Sequence, residues 1–199
     1  MTRLSYYTAT TLDGFIADEH DSLEWLFKQE GRKQDEPLSY DTFIADIGAI
    51  VMGRTTYDWV CDHLRKTDEA WMYTMPAWVM THRPVEEFPG ADLRVTDGDV
   101  RTVYDAMAEA AGDKNLWVVG GGDLVGQFAD AGLLDEVIVQ IAPVTLGAGR
   151  PLLPRRLDLR TEEVERNADF VACRYTVVEV PRARNERVAS KPRSRSAQP

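Results

Sequence analysis

The residues best equipped for chemistry stand at the ends of short apolar runs. In Asn115–Ala129 (NLWVVGGGDLVGQFA), Leu116–Val119 runs into Gly120-Gly121-Gly122, and Leu124, Val125, Phe128 and Ala129 follow at helical spacing. The pattern predicts a buried strand, a glycine turn and a helix. Glycine at such a turn lets a ligand approach the backbone, and the helix start offers unpaired N–H groups and partial positive charge to an anion. A phosphate-bearing ligand suits this arrangement, with a ligand-free tight connection as the alternative. Two familiar phosphate loops are excluded. Gln127-Phe128 follows Gly126 where a P-loop needs Lys and Ser/Thr, and Val125 holds the third glycine position of G-x-G-x-x-G.

Two further strand ends carry similar residues. Gly53-Arg54-Thr55-Thr56 repeats strand, glycine and helix after Ala49–Met52, and Thr81-His82-Arg83 closes the run Pro76–Met80. In open α/β sheets, ligands sit beyond the carboxyl ends of parallel strands, so three such ends can converge on one crevice.

The elements that must position these residues are legible in outline. Leu4–Thr10 is the first strand, ended by the turn signal Thr11-Leu12-Asp13-Gly14 and continued by Phe15-Ile16-Ala17. Ser22 is placed to cap a short helix at Leu23–Phe27, and Gly31–Glu36 reads as a charged loop. From Pro37, Leu38, Phe43, Ile44 and Ile47 predict a helix stopped by Gly48 before the strand Ala49–Met52. A helix through Tyr57, Val60, Cys61 and Leu64, the strand Asp92–Val95, a helix over Val100–Ala111 and the central strand follow. Leu133–Ala142 is β-rich, Pro143 to Pro154 reads as a loop, and Val164 and Phe170–Glu179 mark two closing strands. Strands alternating with helices up to residue 142, then strands only, imply an α/β fold. Its central sheet is mixed and mainly parallel, with an antiparallel C-terminal edge.

Bulk properties set the class. The 199 residues suit one domain with a substantial core. The expected division is a domain over 1–180 and a disordered basic tail over 181–199, where six Lys/Arg face one Glu. The overall net charge of −10 therefore leaves the body at about −15, which disfavours nucleic-acid partners. Neither a membrane span nor a signal peptide is expected, and Cys61 and Cys173 fit a reducing compartment, so the expectation is cytoplasmic. No metal-ligand spacing is found.

Taken together, LDGFIA (12–17), VMGRTTY (51–57), VVGGGDLVGQF (118–128) and DEVIVQIAPVTLGAGRPLL (135–153) resemble the dihydrofolate reductase-like superfamily. The resemblance is narrower to the C-terminal reductase domain of the bacterial riboflavin-biosynthesis deaminase/reductase. It covers about residues 3–180 and implies the dihydrofolate reductase-like three-layer fold and NADPH as cofactor. Gly53, Arg54, Thr55 and Thr56 match the segment that holds the cofactor pyrophosphate. Thr81, His82 and Arg83 match the strand end at the adenosine 2′-phosphate. Gly120 and Gly121 match a glycine pair joined by a cis peptide beneath the nicotinamide, and Ala9, Ile16, Gly122, Asp123 and Leu124 complete the cofactor set. Asp123 departs from the basic residue often found there, leaving the phosphates to Arg54 and Arg83.

On the substrate side the resemblance implies that Asp13 lies near substrate and nicotinamide as a catalytic carboxylate, the alternative being a turn-forming aspartate. Pro37 falls near the position of the folate carboxylate, which argues against folate reduction. Asp41, about one helical turn later, is the second catalytic candidate or a solvated helix residue. Trp25, Tyr40, Tyr57 and Trp59 offer an aromatic substrate wall or belong to the core. The implied activity is NADPH-dependent hydride transfer to a small heteroaromatic or pyrimidine/sugar-imine compound, similar to 5-amino-6-(5-phosphoribosylamino)uracil reductase. No deaminase zinc motif accompanies it. A non-catalytic, nucleotide-binding dimeric module is the alternative. The family's habit of pairing through its last strands implies a homodimer.

Overall fold

β-Branched, aromatic and aliphatic residues alternate along the strands, and this period of two decides what each sheet face buries. The computed structural model describes residues 2–29 and 37–179. The loop expected at Gly31–Glu36 and the tail from Pro181 lie outside the described residues. In chain order the elements are β1 (Leu4–Thr11), β2 (Phe15–Ala17), α1 (Glu24–Phe27), α2 (Tyr40–Ala45), β3 (Ile47–Gly53) and α3 (Arg54–Thr67). Then come β4 (Ala77–Met80), β5 (Leu93–Thr96), α4 (Val100–Ala111), β6 (Asn115–Gly120) and α5 (Gly122–Asp130). The chain closes with β7 (Glu136–Ala142), β8 (Arg150–Pro151), β9 (Asp158–Asn167) and β10 (Phe170–Glu179).

Among the described residues the main sheet runs β5-β4-β3-β6-β1-β7-β10-β9. The pairs from β5 to β7 are parallel, whereas β10 is antiparallel to both β7 and β9. This is the mainly parallel sheet with an antiparallel C-terminal edge that the element order implies. On one face Leu4, Tyr6, Ala49, Val51, Leu116, Val118, Val137 and Val139 pack against Val103 and Met107 of α4 and Val125 and Phe128 of α5. On the other, Tyr7, Ile50, Met52, Trp117 and Ile138 pack with Tyr57, Val60, Cys61 and Leu64 of α3. Helices on both faces make three layers.

Three local readings are corrected. The second helix ends at Ala45 and β3 begins at Ile47, so Gly48 lies within the strand and does not stop the helix. A Cβ on Gly48 would lie 2.8 Å from both the Ala111 carbonyl oxygen and Lys114 Cβ, so its bare backbone admits the end of α4. Ser22 is not the cap of α1: its Oγ accepts from the Glu24 N–H at 3.2 Å, but Leu23 holds the cap position of this single turn. Ser39 caps α2 by accepting from the Thr42 N–H. The stretch Pro143–Pro154 is not wholly loop, because β8 within it pairs with β2.

Gly48→Ala is expected to destabilise the protein by about 1–3 kcal/mol, the range typical of overpacked sites. Urea unfolding of both proteins measures this. Equal stability would mean that the end of α4 does not press on β3.

Candidate functional site

Parallel pairing brings the carboxyl ends of β1, β3, β4 and β6 to one edge of the sheet, where they border a cavity of about 910 Å³. Two helices begin on its wall. Gly53, extended at φ −77° and ψ 164°, leads into α3, and Gly121, at φ −76° and ψ 178°, leads into α5. The two turns lie close together, since a Cβ on Gly53 would come 3.7 Å from the Gly120 carbonyl oxygen. Each glycine of the triplet has its own reason. Gly120 has φ +141°, which side chains rarely tolerate, and its peptide to Gly121 is cis. A Cβ on Gly122 would stand 2.5 Å from the carbonyl oxygens of both Pro151 and Leu152.

Charge around these turns is held in pairs. Both Asp58 carboxylate oxygens accept from Arg54 Nε at 2.7 Å, and Arg54 Nη1 donates to the Pro84 carbonyl. This clamps the guanidinium on the cavity wall. Asp123 accepts from Gln127 at 3.1 Å and from Arg155 at 3.1 Å, and these bonds hold its carboxyl below the usual range. Arg155 also pairs with Asp130 at 2.9 Å, so it supplies a cation beside α5 that the sequence reading did not single out. Arg150 on the wall pairs with Asp21 at 2.6 Å. His82 Nδ1 lies 3.7 Å from Asp97 Oδ2.

Aromatic and apolar side chains make another part of the wall: Tyr7, Tyr40, Tyr73, Trp117, Trp59 and Val60. Tyr7 and Tyr40 meet edge-on at 6.1 Å, Tyr40 and Trp117 at 6.0 Å, and Tyr73 and Trp117 at 5.8 Å. Burial pushes the Tyr40 hydroxyl up to about 12, so it stays neutral at ordinary pH. Gln140 of β7 completes this part, with Nε2 donating to the Tyr7 hydroxyl and the Leu38 carbonyl.

The cavity thus gathers Ala9, Ile16, Gly53, Arg54, Thr55, Thr56, Thr81, His82, Gly120, Gly121, Gly122, Asp123, Leu124, Tyr40 and Trp59 from the sequence candidates. It leaves others off its wall. Asp13 accepts from the Thr11 hydroxyl at 2.5 Å and from the Gly147 and Leu146 N–H groups at 2.7 and 3.0 Å, which ties two loops together. Those bonds, the Thr11 hydroxyl first, keep its carboxyl below the usual range. Asp41 is exposed on the first turn of α2, and Arg83 is exposed beyond β4. Trp25 is buried with Ala142 and Phe170. The Tyr57 hydroxyl donates to the Glu86 carbonyl at 2.6 Å and accepts from the Phe88 N–H, so this tyrosine fastens the 86–88 segment. Sequence reasoning missed Tyr7, Tyr73, Trp117, Gln140 and Arg150. Alternation along their strands carried the signal for Tyr7, Trp117 and Gln140, which share a sheet face.

A helix-flanked, mainly parallel sheet with glycine turns at its carboxyl edge defines an α/β protein of dihydrofolate reductase type. Residues 59–173 match the RibD C-terminal domain, and the chain belongs to that family. It is 29% identical over 147 residues to YwjB of Bacillus subtilis strain 168, a match spanning 73% of this chain and 79% of that protein. A structure from Shewanella sp. PV-4 assigned to riboflavin biosynthesis superposes with a TM-score of 0.72 at 26% identity, covering 88% of this chain and 99% of the other. Dihydrofolate reductase from Enterococcus faecalis, complexed with NADP(H), shares the fold at a TM-score of 0.53 and 14% identity, covering 89% and 97%.

The loop-tying role of Asp13 has a pH signature. A carboxylate whose native pKa is lowered contributes stability above its unfolded value of about 3.9, and loses it as pH falls through the native value. Asp13→Asn is therefore expected to be less stable than wild type at pH 7, with the gap closing in acid below about pH 4. Urea midpoints measured across that range check this. A gap independent of pH would show that the charge on Asp13 contributes nothing.

Proposed function

We propose that the protein is a reductase that uses NADPH to reduce a small, flat nitrogen heterocycle. One observation carries the reading: two glycine-initiated helices and the Thr81-His82 strand end share a single cavity with a wall of aromatic rings. The residues fit the cofactor. The α3 and α5 starts and Arg54 suit its pyrophosphate, Thr81 and His82 suit the 2′-phosphate, and the bare Gly120-Gly121 backbone leaves room for a flat ring. When bound, NADPH supplies a hydride from its nicotinamide.

The chain's own contribution is orientation and dryness. The rings of Tyr40 and Trp117 hold a flat substrate, and the aromatic wall keeps bulk water from it. Asp13 and Asp41 stand off this wall, so we assign the proton to a water admitted with the substrate. Membership of the RibD C-terminal family supports a role connected with riboflavin-type chemistry.

Saturating NADPH, at about a hundredfold its dissociation constant, is expected to stabilise the fold by about 2.7 kcal/mol, or several degrees in Tm. Absorbance at the nicotinamide band then reports turnover on a panel of heterocycles. No thermal shift would refute the cofactor, whereas a shift with no oxidation on any heterocycle would leave a binding module. We also propose a homodimer. The β9–β10 register sets Leu159, Val164 and Val171 on one face, and all three are exposed. Light scattering is expected to give twice the 22.4 kDa chain mass, and Val164→Lys to lower it; a monomer in the wild type would refute the dimer.

A further inference from the structure

Gln140 is the polar residue in the run VIVQIA (137–142) of β7, and it is 3% exposed on the cavity wall. Its carboxamide is oriented by its neighbours. The Leu38 carbonyl oxygen only accepts, so the group 2.5 Å from it is the Gln140 amide nitrogen; a reversed amide would set two carbonyl oxygens against each other. The Tyr7 hydroxyl donates its hydrogen to the same Leu38 carbonyl at 3.2 Å, so it receives the second Nε2 hydrogen as an acceptor. Both donors of the amide are spent, and its Oε1 is buried with no hydrogen-bond partner among the described residues. A buried acceptor left unpaired is costly, and packing alone does not require it, because leucine or methionine would fill the same space.

We propose that Gln140 is a specificity-determining residue of the cavity, and that its Oε1 accepts a hydrogen bond from an N–H of a neutral, flat ligand seated among Tyr7, Tyr40 and Trp117. This rests on the reading that substrate occupies the aromatic part of the cavity. The Oε1 is sealed from solvent, so a ligand that reaches it must displace part of the wall. We infer that Tyr40 is the ring that yields, because it is 39% exposed and meets Tyr7 and Trp117 only edge-on, at 6.1 and 6.0 Å. The Tyr7 and Leu38 contacts keep the amide from rotating, so it cannot turn a donor toward the ligand. Gln140 thereby admits a ligand with N–H at this point and rejects one of the same shape with C–H or a lone pair there.

The test uses two probes of matched shape, 2-aminopyrimidine and 2-methylpyrimidine, titrated into the full chain and followed by tryptophan fluorescence with and without NADPH. In a purely apolar cavity the methyl compound binds more tightly, because the amino group loses its hydration without return. With Gln140 as acceptor the order reverses: the amino compound is expected to bind about tenfold more tightly, the worth of one buried hydrogen bond. Gln140→Leu is expected to abolish that preference while the NADPH-induced thermal shift is retained. Equal binding of the two probes to wild type would overturn the proposal and leave Oε1 to a buried water only. A preference surviving in Gln140→Leu would overturn it as well. Should Gln140→Leu fail to fold, the side-chain amide resonances of Gln140 in the wild type decide. A shift with the amino probe and none with the methyl probe supports the proposal, and no difference overturns it. Because probe binding and the NADPH shift are separate readouts, a failed cofactor leaves the Gln140 result standing, and the reverse also holds.

Discussion

At the end of β6 the backbone runs for three residues without a side chain, and the cavity depends on that bare segment. Gly120 takes a conformation that other residues rarely adopt, Gly121 turns the chain into α5, and Gly122 lets the carbonyls of Pro151 and Leu152 approach. Leu152 is in turn fixed from two sides, since its carbonyl accepts from the Tyr6 hydroxyl at 3.1 Å and its N–H donates to the Gly14 carbonyl at 2.9 Å. A side chain on Gly122 would push away the segment that carries β8 and Arg150. The close contact of α5 with residues 150–153 therefore governs one whole wall of the site.

The charged residues around the cavity act mainly by placement. Exposed ion pairs are worth about 0–1 kcal/mol, so Arg54–Asp58, Arg150–Asp21 and Arg155–Asp123 add little to stability. They do hold long, flexible side chains in one position. A guanidinium already ordered by a carboxylate loses less freedom on meeting an anion, at the cost of a partly neutralised charge.

Much of this was legible in the chain. Apolar runs ended by glycine at Leu116–Val119 and Ala49–Met52 gave their strand and helix types correctly, because parallel strands buried on both faces leave a continuous hydrophobic signal. Gly48 misled because a helix-stopping glycine and a glycine cleared for a crossing helix look alike in sequence. Asp13 was ambiguous for a similar reason, since a carboxylate near a turn reads alike whether it serves a substrate or Leu146 and Gly147. Arg150 and Arg155 could not be assigned from spacing, because their partners Asp21, Asp123 and Asp130 are remote in sequence. The aromatic wall was half visible: Tyr40 and Trp59 were named, whereas Tyr7 and Trp117 were read as strand residues only.

The place of β1 in the sheet has a bearing on how the protein is made. It is the central strand, yet its neighbours are β6 and β7, with Leu4 beside Leu116 and Ser5 beside Glu136. During synthesis β1 is made well before either of its partners, so it waits with both edges unpaired until β6 and β7 follow. The long-range closure that assembles the sheet also makes it slow to form, so the nascent protein carries an aggregation-prone segment until β6 and β7 emerge.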